Sequence, residues 1–190
     1  MDEKPRCAWA GFDPLMPHYH DTEWGVPERD PRMLWETLML EGFQAGLSWA
    51  IILRKRESFR EAFANFDPLK VAAFDDDDDI ERLMADPGIV RARAKIIATI
   101  RGAQIFNDMQ ASGEDFANYC WSFTPGMPVE GVGHQTQSEL SARISKDLKA
   151  RGFKFVGPTI VYAWTQAVGL VNDHETVCFR RRELPQRHRL

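Results

Sequence analysis

Apolar positions recur along this chain at three- and four-residue spacing, the period of a helix that buries one face. After Asp30-Pro31, a helix start with proline in its first turn, Met33, Leu34, Leu38 and Glu41 share one face. Ile52, Phe59, Phe63 and Phe66 form a second stripe. Asp67-Pro68 is expected to open a short helix through Phe74, and the acidic run Asp75–Asp79 to be a solvated loop leading into Ile80–Ala85. Ile96, Ile97, Ile100, Ala103 and Phe106 continue the pattern until Ser112-Gly113 stops it. Thr136–Glu139 has the form of a capping box for a basic amphipathic helix ending at Arg151-Gly152. Ile160, Ala163, Trp164, Ala167, Val168 and Val171 then line one side of a last helix. No run alternates as a strand would, and no internal repeat is evident. The pattern predicts an all-α protein.

Ser122 to Gln135, with Pro125, Gly126, Pro128, Gly131 and Gly133, reads as a linker between two helical groups. The expectation is a single domain over residues 1–190 with two helical lobes and a cleft between them, where a ligand would sit. Its length of 190 residues, 44% hydrophobic and 27% charged, suits one globular unit and argues against disordered or fibrous classes. The longest uncharged run, Phe155 to Asn172, contains Gly157, Pro158 and Gly169. That is a buried helix with its lead-in, and no membrane partner is expected. The first ten residues hold no apolar core of signal-peptide length, so a cytoplasmic location is expected. Three cysteines cannot build a disulfide framework, which leaves metal ligation or packing.

Net charge is −4, which at face value speaks against a nucleic-acid partner. Without the five aspartates 75–79 the balance is 24 basic against 23 acidic residues, or +1. Basic groups cluster at 54–56, at Arg91, Arg93 and Lys95, at Lys146, Lys149, Arg151 and Lys154, and in the tail after Phe179. Local stripes decide whether phosphate is attracted, so total charge leaves the question open.

Four constellations carry candidate chemistry. Between Lys149 and Thr159 a helix closes at Gly152, a turn carries Phe155, Val156 and Gly157, and a new helix opens at Pro158. This is the shape of a helix-hairpin-helix, whose glycine lets backbone N–H groups approach a DNA phosphate; an ordinary helix–turn–helix connection has the same punctuation. His174 and Cys178 fall at i and i+4 on one helix turn, and Cys7 and His20 lie near the other end. Two soft ligands from each terminus would make a closed Cys2His2 zinc site, although the spacing is not that of a zinc finger and His18 competes with His20. Trp9, Tyr19 and Trp24 crowd an irregular region, either as core packing or as walls of a stacking pocket. Glu41 stands on an apolar helix face beside the glycine-rich turn before Trp49, a costly place for a carboxylate unless it is paired or meets a cation.

Taken together these strings resemble the 3-methyladenine DNA glycosylase I family of base-excision repair. The matching pieces are Arg6-Cys7-x-Trp9, Tyr19–Gly25, Leu40–Trp49, Phe66–Pro68, Arg151–Gly157 and Gly169–His174. The resemblance implies a helix-hairpin-helix glycosylase fold, with Zn2+ on Cys7, His20, His174 and Cys178 tying the two terminal regions together. It implies base-binding by Glu41, Tyr19 and Trp49, with Trp9 and Trp24 nearby, and catalysis through Glu41. Gly46 and Leu47 would form the DNA-wedging turn, and Lys154 and Gly157 would meet the backbone. Met16 stands where some members have an aromatic at the pocket edge, and the tail Arg180–Leu190 matches nothing and is expected to lack fixed structure. The implied partners are double-stranded alkylated DNA and free 3-methyladenine as product, acted on by a monomer.

A cationic purine suits such a site. Trp49 attracts it by cation–π interaction, worth roughly 0.5–2 kcal/mol, and Glu41 accepts hydrogen bonds from its amino edge. No lysine is placed for Schiff-base chemistry, so a monofunctional hydrolase leaving an abasic site is expected. Two other classes compete: a helical DNA-binding module without catalysis, which leaves Glu41 unexplained, and a zinc hydrolase, which needs an open coordination position.

Overall fold

The computed structural model describes residues 4–74, 77–131, 133 and 135–184. Its α-helices are α1 (Met16–Thr22), α2 (Pro31–Gln44), α3 (Trp49–Ala62), α4 (Pro68–Ala72), α5 (Asp78–Ala85), α6 (Arg93–Ala111), α7 (Phe116–Trp121), α8 (Glu139–Arg151), α9 (Pro158–Ala167) and α10 (Phe179–Glu183). Most begin where local chemistry dictates. Asp30, Asp67 and Asp115 each accept a hydrogen bond from a backbone N–H in the first turn they precede, and Pro31, Pro68 and Pro158 fill first-turn positions that need no donor.

The helices close over one continuous apolar cluster. Trp35, Phe43, Phe59, Phe63, Phe66, Phe116, Phe153 and Trp164 are wholly buried, each contributing on the order of 1.5–3 kcal/mol through burial. Helix α2 lies at the centre, against α3, α6, α7 and α9, while α4 packs on α6 and α8 on α9. The Trp164 indole donates to the Leu34 carbonyl at 3.0 Å, fixing α9 across α2.

Several local expectations are corrected. The capping box of α8 is made by Ser138, not Thr136. Ser141 N–H donates to the Ser138 hydroxyl at 3.1 Å, and Ser138 N–H donates to the Ser141 hydroxyl at 2.9 Å. A serine thus does the work expected of Glu139. Asp78 and Asp79 belong to the first turn of α5, where the helix dipole favours acids, while Asp75 and Asp76 lie outside the described residues. Ile97 is 45% exposed, off the buried face of α6. The expected linker is tied down: β1 (Val129–Glu130) pairs in parallel with β2 (Val171–Asn172), in register Val129 to Val171. Val171 is therefore a strand residue. Gly169, at φ +71, ends the preceding helix where a Cβ would stand 2.5 Å from the Val26 carbonyl carbon, so only glycine fits. The start of the tail is ordered as well, since Arg180–Glu183 lie in α10 and Leu184 is buried; residues 185–190 lie outside the described residues.

Candidate active site and metal centre

Four soft side chains from the two ends of the chain meet in one buried cluster. Cys7 precedes a short 3-10 turn (Ala8–Gly11), His20 lies on α1, His174 follows β2, and Cys178 is the residue before α10. Backbone pairing brings the segments together: Phe179 N–H donates to the Pro5 carbonyl at 2.9 Å, and Ala8 N–H to the Glu175 carboxylate at 2.8 Å. The candidate ligand atoms of the four all fall within 4.8 Å of one another.

The donor set fits a metal ion. Sulfur-to-nitrogen separations are 3.5 Å for Cys7–His174, 3.3 Å for Cys178–His20 and 3.5 Å for Cys178–His174. Tetrahedral bonds of about 2.3 Å to sulfur and about 2.0 Å to nitrogen give an edge of roughly 3.5 Å. His20 Nδ1 lies 2.8 Å from the Asp21 carboxylate, which Arg6 grips with bonds of 2.7–3.0 Å; this is the outer support that orients a ligating imidazole. Burial holds His174 neutral, its pKa lowered to about 4, the form a metal takes. Burial foremost, and the neighbouring Cys178, push the Cys7 thiol up to about 12. A divalent ion is the natural compensation for thiolates held there. His18 is exposed on α1 and stands outside the cluster.

Beside this cluster opens a cleft of about 880 Å³. Trp9, Tyr19, Trp24, Glu41 and Trp49 all line it. Tyr19 and Trp49 lie with ring centroids 5.9 Å apart, tilted by 44°. Trp24 meets the His174 ring edge-on at 4.5 Å, and Trp9 meets Trp24 at 4.9 Å and His20 at 5.2 Å. Trp9 and Trp24 therefore connect the Cys/His cluster to the cleft wall. Met16 lines the cleft too, so an aliphatic thioether takes the rim position.

Glu41 is 4% exposed and makes no hydrogen bond among the described residues. Burial alone pushes its pKa up to about 8, so the cleft by itself holds it mostly as the neutral acid at pH 7. That amends the picture of a standing negative charge. A cation placed beside it would offset the desolvation and favour the charged form. Burial, followed by the Glu41 and Glu23 charges, also raises Tyr19 well above the usual phenol range, leaving it a neutral donor.

The two turns singled out in the sequence each expose one apolar side chain, Leu47 and Phe155, while Phe153 and Val156 of the second are buried. Gly46 adopts φ +86, where no neighbouring atom lies within 4 Å of a Cβ position, so its need for glycine is conformational. It presents Leu47, 38% exposed. At the other turn, Gly152 closes α8 in the left-handed region and Gly157 precedes α9 at φ −62. Any residue can adopt that φ, and a Cβ on Gly157 would meet nothing within 4 Å. Lys154 is exposed on the same turn.

Asp173, Gln44 and Gln166 also line the cleft, and the sequence pattern does not single them out. The Asp173 carboxylate accepts from Gly133 N–H at 2.9 Å, the Tyr162 hydroxyl at 2.8 Å and the Gln166 amide at 2.6 Å. Its partners come from α9 and from the loop at Gly133, so only its place beside His174 could have marked it.

The chain matches the methyladenine glycosylase family over residues 9–181. DNA-3-methyladenine glycosylase 1 of Escherichia coli (strain K12) is 50% identical over 179 residues, covering 91% of this chain and 95% of the relative. A crystal structure of 3-methyladenine DNA glycosylase I is similar at a TM-score of 0.89 and 49% identity, covering 92% of this chain and 98% of its own. The Staphylococcus aureus 3-methyladenine DNA glycosylase I, solved for the structural basis of 3-methyladenine recognition, is similar at 0.86 and 38% identity, over 96% of this chain and 98% of that one.

Proposed function

The chain belongs to the methyladenine glycosylase family, and on that premise we propose that it excises 3-methyladenine from alkylated double-stranded DNA and leaves an abasic site. The observation that carries the reading is Glu41: a carboxyl with no hydrogen-bond partner among the described residues, buried in an aromatic-walled cleft, is a group waiting for a cation. A 3-methylated adenine in DNA carries that charge once flipped from the stack. Its ring meets the Trp49 face, its amino edge meets Glu41, and Tyr19 supplies a further hydrogen bond, with Trp9 and Trp24 completing the wall. Ordinary adenine brings no charge, so it leaves Glu41 protonated and gains less.

Excision breaks the bond between the sugar and the purine. The bonding pair stays with the purine, which becomes neutral as the sugar turns cationic, and water adds to the sugar carbon and gives up a proton. Glu41 acts first in recognition. Because its charge favours the cationic ground state as well, tight binding and acceleration are separate quantities; its second role is to take the water's proton or offset the sugar cation. Among the described residues no lysine lines the cleft, which supports hydrolysis without a Schiff base.

Cys7, His20, His174 and Cys178 are read as the ligands of one Zn2+, which with four protein ligands is structural and leaves no position open for water. The segment α8–turn–α9 is read as a helix-hairpin-helix that meets phosphates through Lys154 and the Gly157 backbone, and Gly46–Leu47 as the wedge that fills the flipped base's place. The chain is read as a single-domain monomer of the cytoplasm, with its cleft between helical lobes. Among the described residues no helix is long and apolar enough to cross a membrane. Release of free 3-methyladenine from alkylated duplex DNA tests this reading; DNA binding without release would return the chain to the non-catalytic class.

A further inference from the structure

Helix α2 ends at the turn that presents Leu47, and its last turn contains no basic residue. The negative end of its dipole would therefore face the side on which the proposed reading places phosphates. The compensating charge arrives from elsewhere. Lys95, half-buried near the start of α6, donates from its ammonium to the Phe43 carbonyl at 3.0 Å and to the Ala45 carbonyl at 3.0 Å. Within the turn, Leu47 N–H donates to the Gln44 carbonyl at 2.7 Å and the Gln44 amide donates to the Leu47 carbonyl at 2.8 Å. Of the carbonyls at the helix end, that of Gln44 is thus met within the turn and those of Phe43 and Ala45 by one remote lysine.

The same ammonium reaches the other turn. It lies 5.9 Å from the centroid of the Phe155 ring, within cation–π range. Phe155 has φ +54, an unfavourable conformation for a bulky residue. A Cβ at Gly42 would come within 3.4 Å of the Phe155 Cβ, so α2 and the 153–157 turn are in close approach there. Gly42, Lys95, Lys154 and Phe155 share one small hollow between α2, α6 and the 153–157 turn.

We propose that Lys95 is a positioning residue for duplex DNA: its ammonium clamps the end of α2 so that the Gly46–Leu47 turn and the 153–157 turn meet the duplex as one unit. This rests on the reading of Gly46–Leu47 as the wedge. Lys95 does not line the cleft, so the free base binds without it.

The test measures single-turnover excision from alkylated duplex DNA and, separately, the affinity for free 3-methyladenine. Lys95→Met is expected to slow excision tenfold or more while free-base affinity stays within twofold, and Lys95→Arg, which keeps charge and donors, to recover most of the rate. Because both residues act through one turn, Lys95→Met with Leu47→Ala should be no more than twofold slower than the slower single variant. Full excision by Lys95→Met, or equal loss of excision and free-base affinity, overturns the proposal. A slow Leu47→Ala beside a normal Lys95→Met leaves the wedge reading intact and removes only the Lys95 role. A Leu47→Ala variant at full rate removes both. Should Lys95→Met melt below the assay temperature, Lys95→Gln is read in the same way.

Discussion

Glu41 is costly to the fold in a way that depends on pH. Its folded pKa of about 8 stands above the usual carboxyl value of 4.5, so the unfolded chain loses this proton first as pH rises. The folded state is then disfavoured progressively from pH 4.5 to pH 8, beyond which the cost levels off. At about 1.4 kcal/mol per pKa unit the plateau is on the order of 5 kcal/mol. Glu41→Gln is therefore expected to match wild-type stability near pH 4 and to exceed it increasingly up to pH 8 and above, read from denaturant midpoints across that range; a gap that does not change with pH would show the carboxyl to be solvated or paired. The burial of Glu41 is legible in the sequence because helical spacing puts it on the face of Leu34 and Leu38. Its lack of a partner is not legible, since a partner would have come from other segments. The same limit hides Asp173, whose three donors lie on a loop and on α9.

At the scale of elements, the long helices follow from spacing and from Asp-Pro starts, whereas the short helices α1, in a region read as irregular, α7 and α10 do not, nor do the two strands, because two residues cannot show alternation. The Ser138–Ser141 box eludes the pattern because either serine or glutamate can return the second hydrogen bond. The turn before α9 carries its own expectation. Gly157 has an ordinary φ and open space around its Cβ position, so Gly157→Ala should leave the melting temperature nearly unchanged. Weaker DNA binding by that variant would then report a phosphate at close approach. Lys149 and Lys154 are exposed, so replacing both by alanine should weaken binding to DNA of any sequence. It should also lower the slope of log affinity against log salt by up to about 1.8, at about 0.9 for each phosphate that is no longer neutralised. Unchanged affinity and slope in the folded variants would reduce this turn to a plain helix connection.

Across the whole molecule, the Cys7, His20, His174 and Cys178 cluster joins two ends of the chain that lie far apart in sequence, and Trp9 and Trp24 carry that junction to the cleft wall. The residue types and their terminal positions are legible beforehand, but the choice of His20 over His18 needs the helix phase of α1. Metal analysis is expected to find about one zinc per chain. His20→Ala should lower both metal content and melting temperature, while His18→Ala should alter neither; full occupancy in Cys7→Ala and Cys178→Ala would dismiss the site. Excision itself bears most directly on what the molecule does. Alkylated duplex DNA is incubated with wild type and with Glu41→Gln, and free 3-methyladenine is quantified in the supernatant. The wild-type chain should release the base, and Glu41→Gln should release it more slowly and bind duplex DNA carrying the cationic base more weakly, by roughly 1.5–3 kcal/mol, with affinity for undamaged DNA retained. No release by the folded wild-type protein, or unaltered release and unaltered affinity for the alkylated site in Glu41→Gln, would contradict the role given to the cleft.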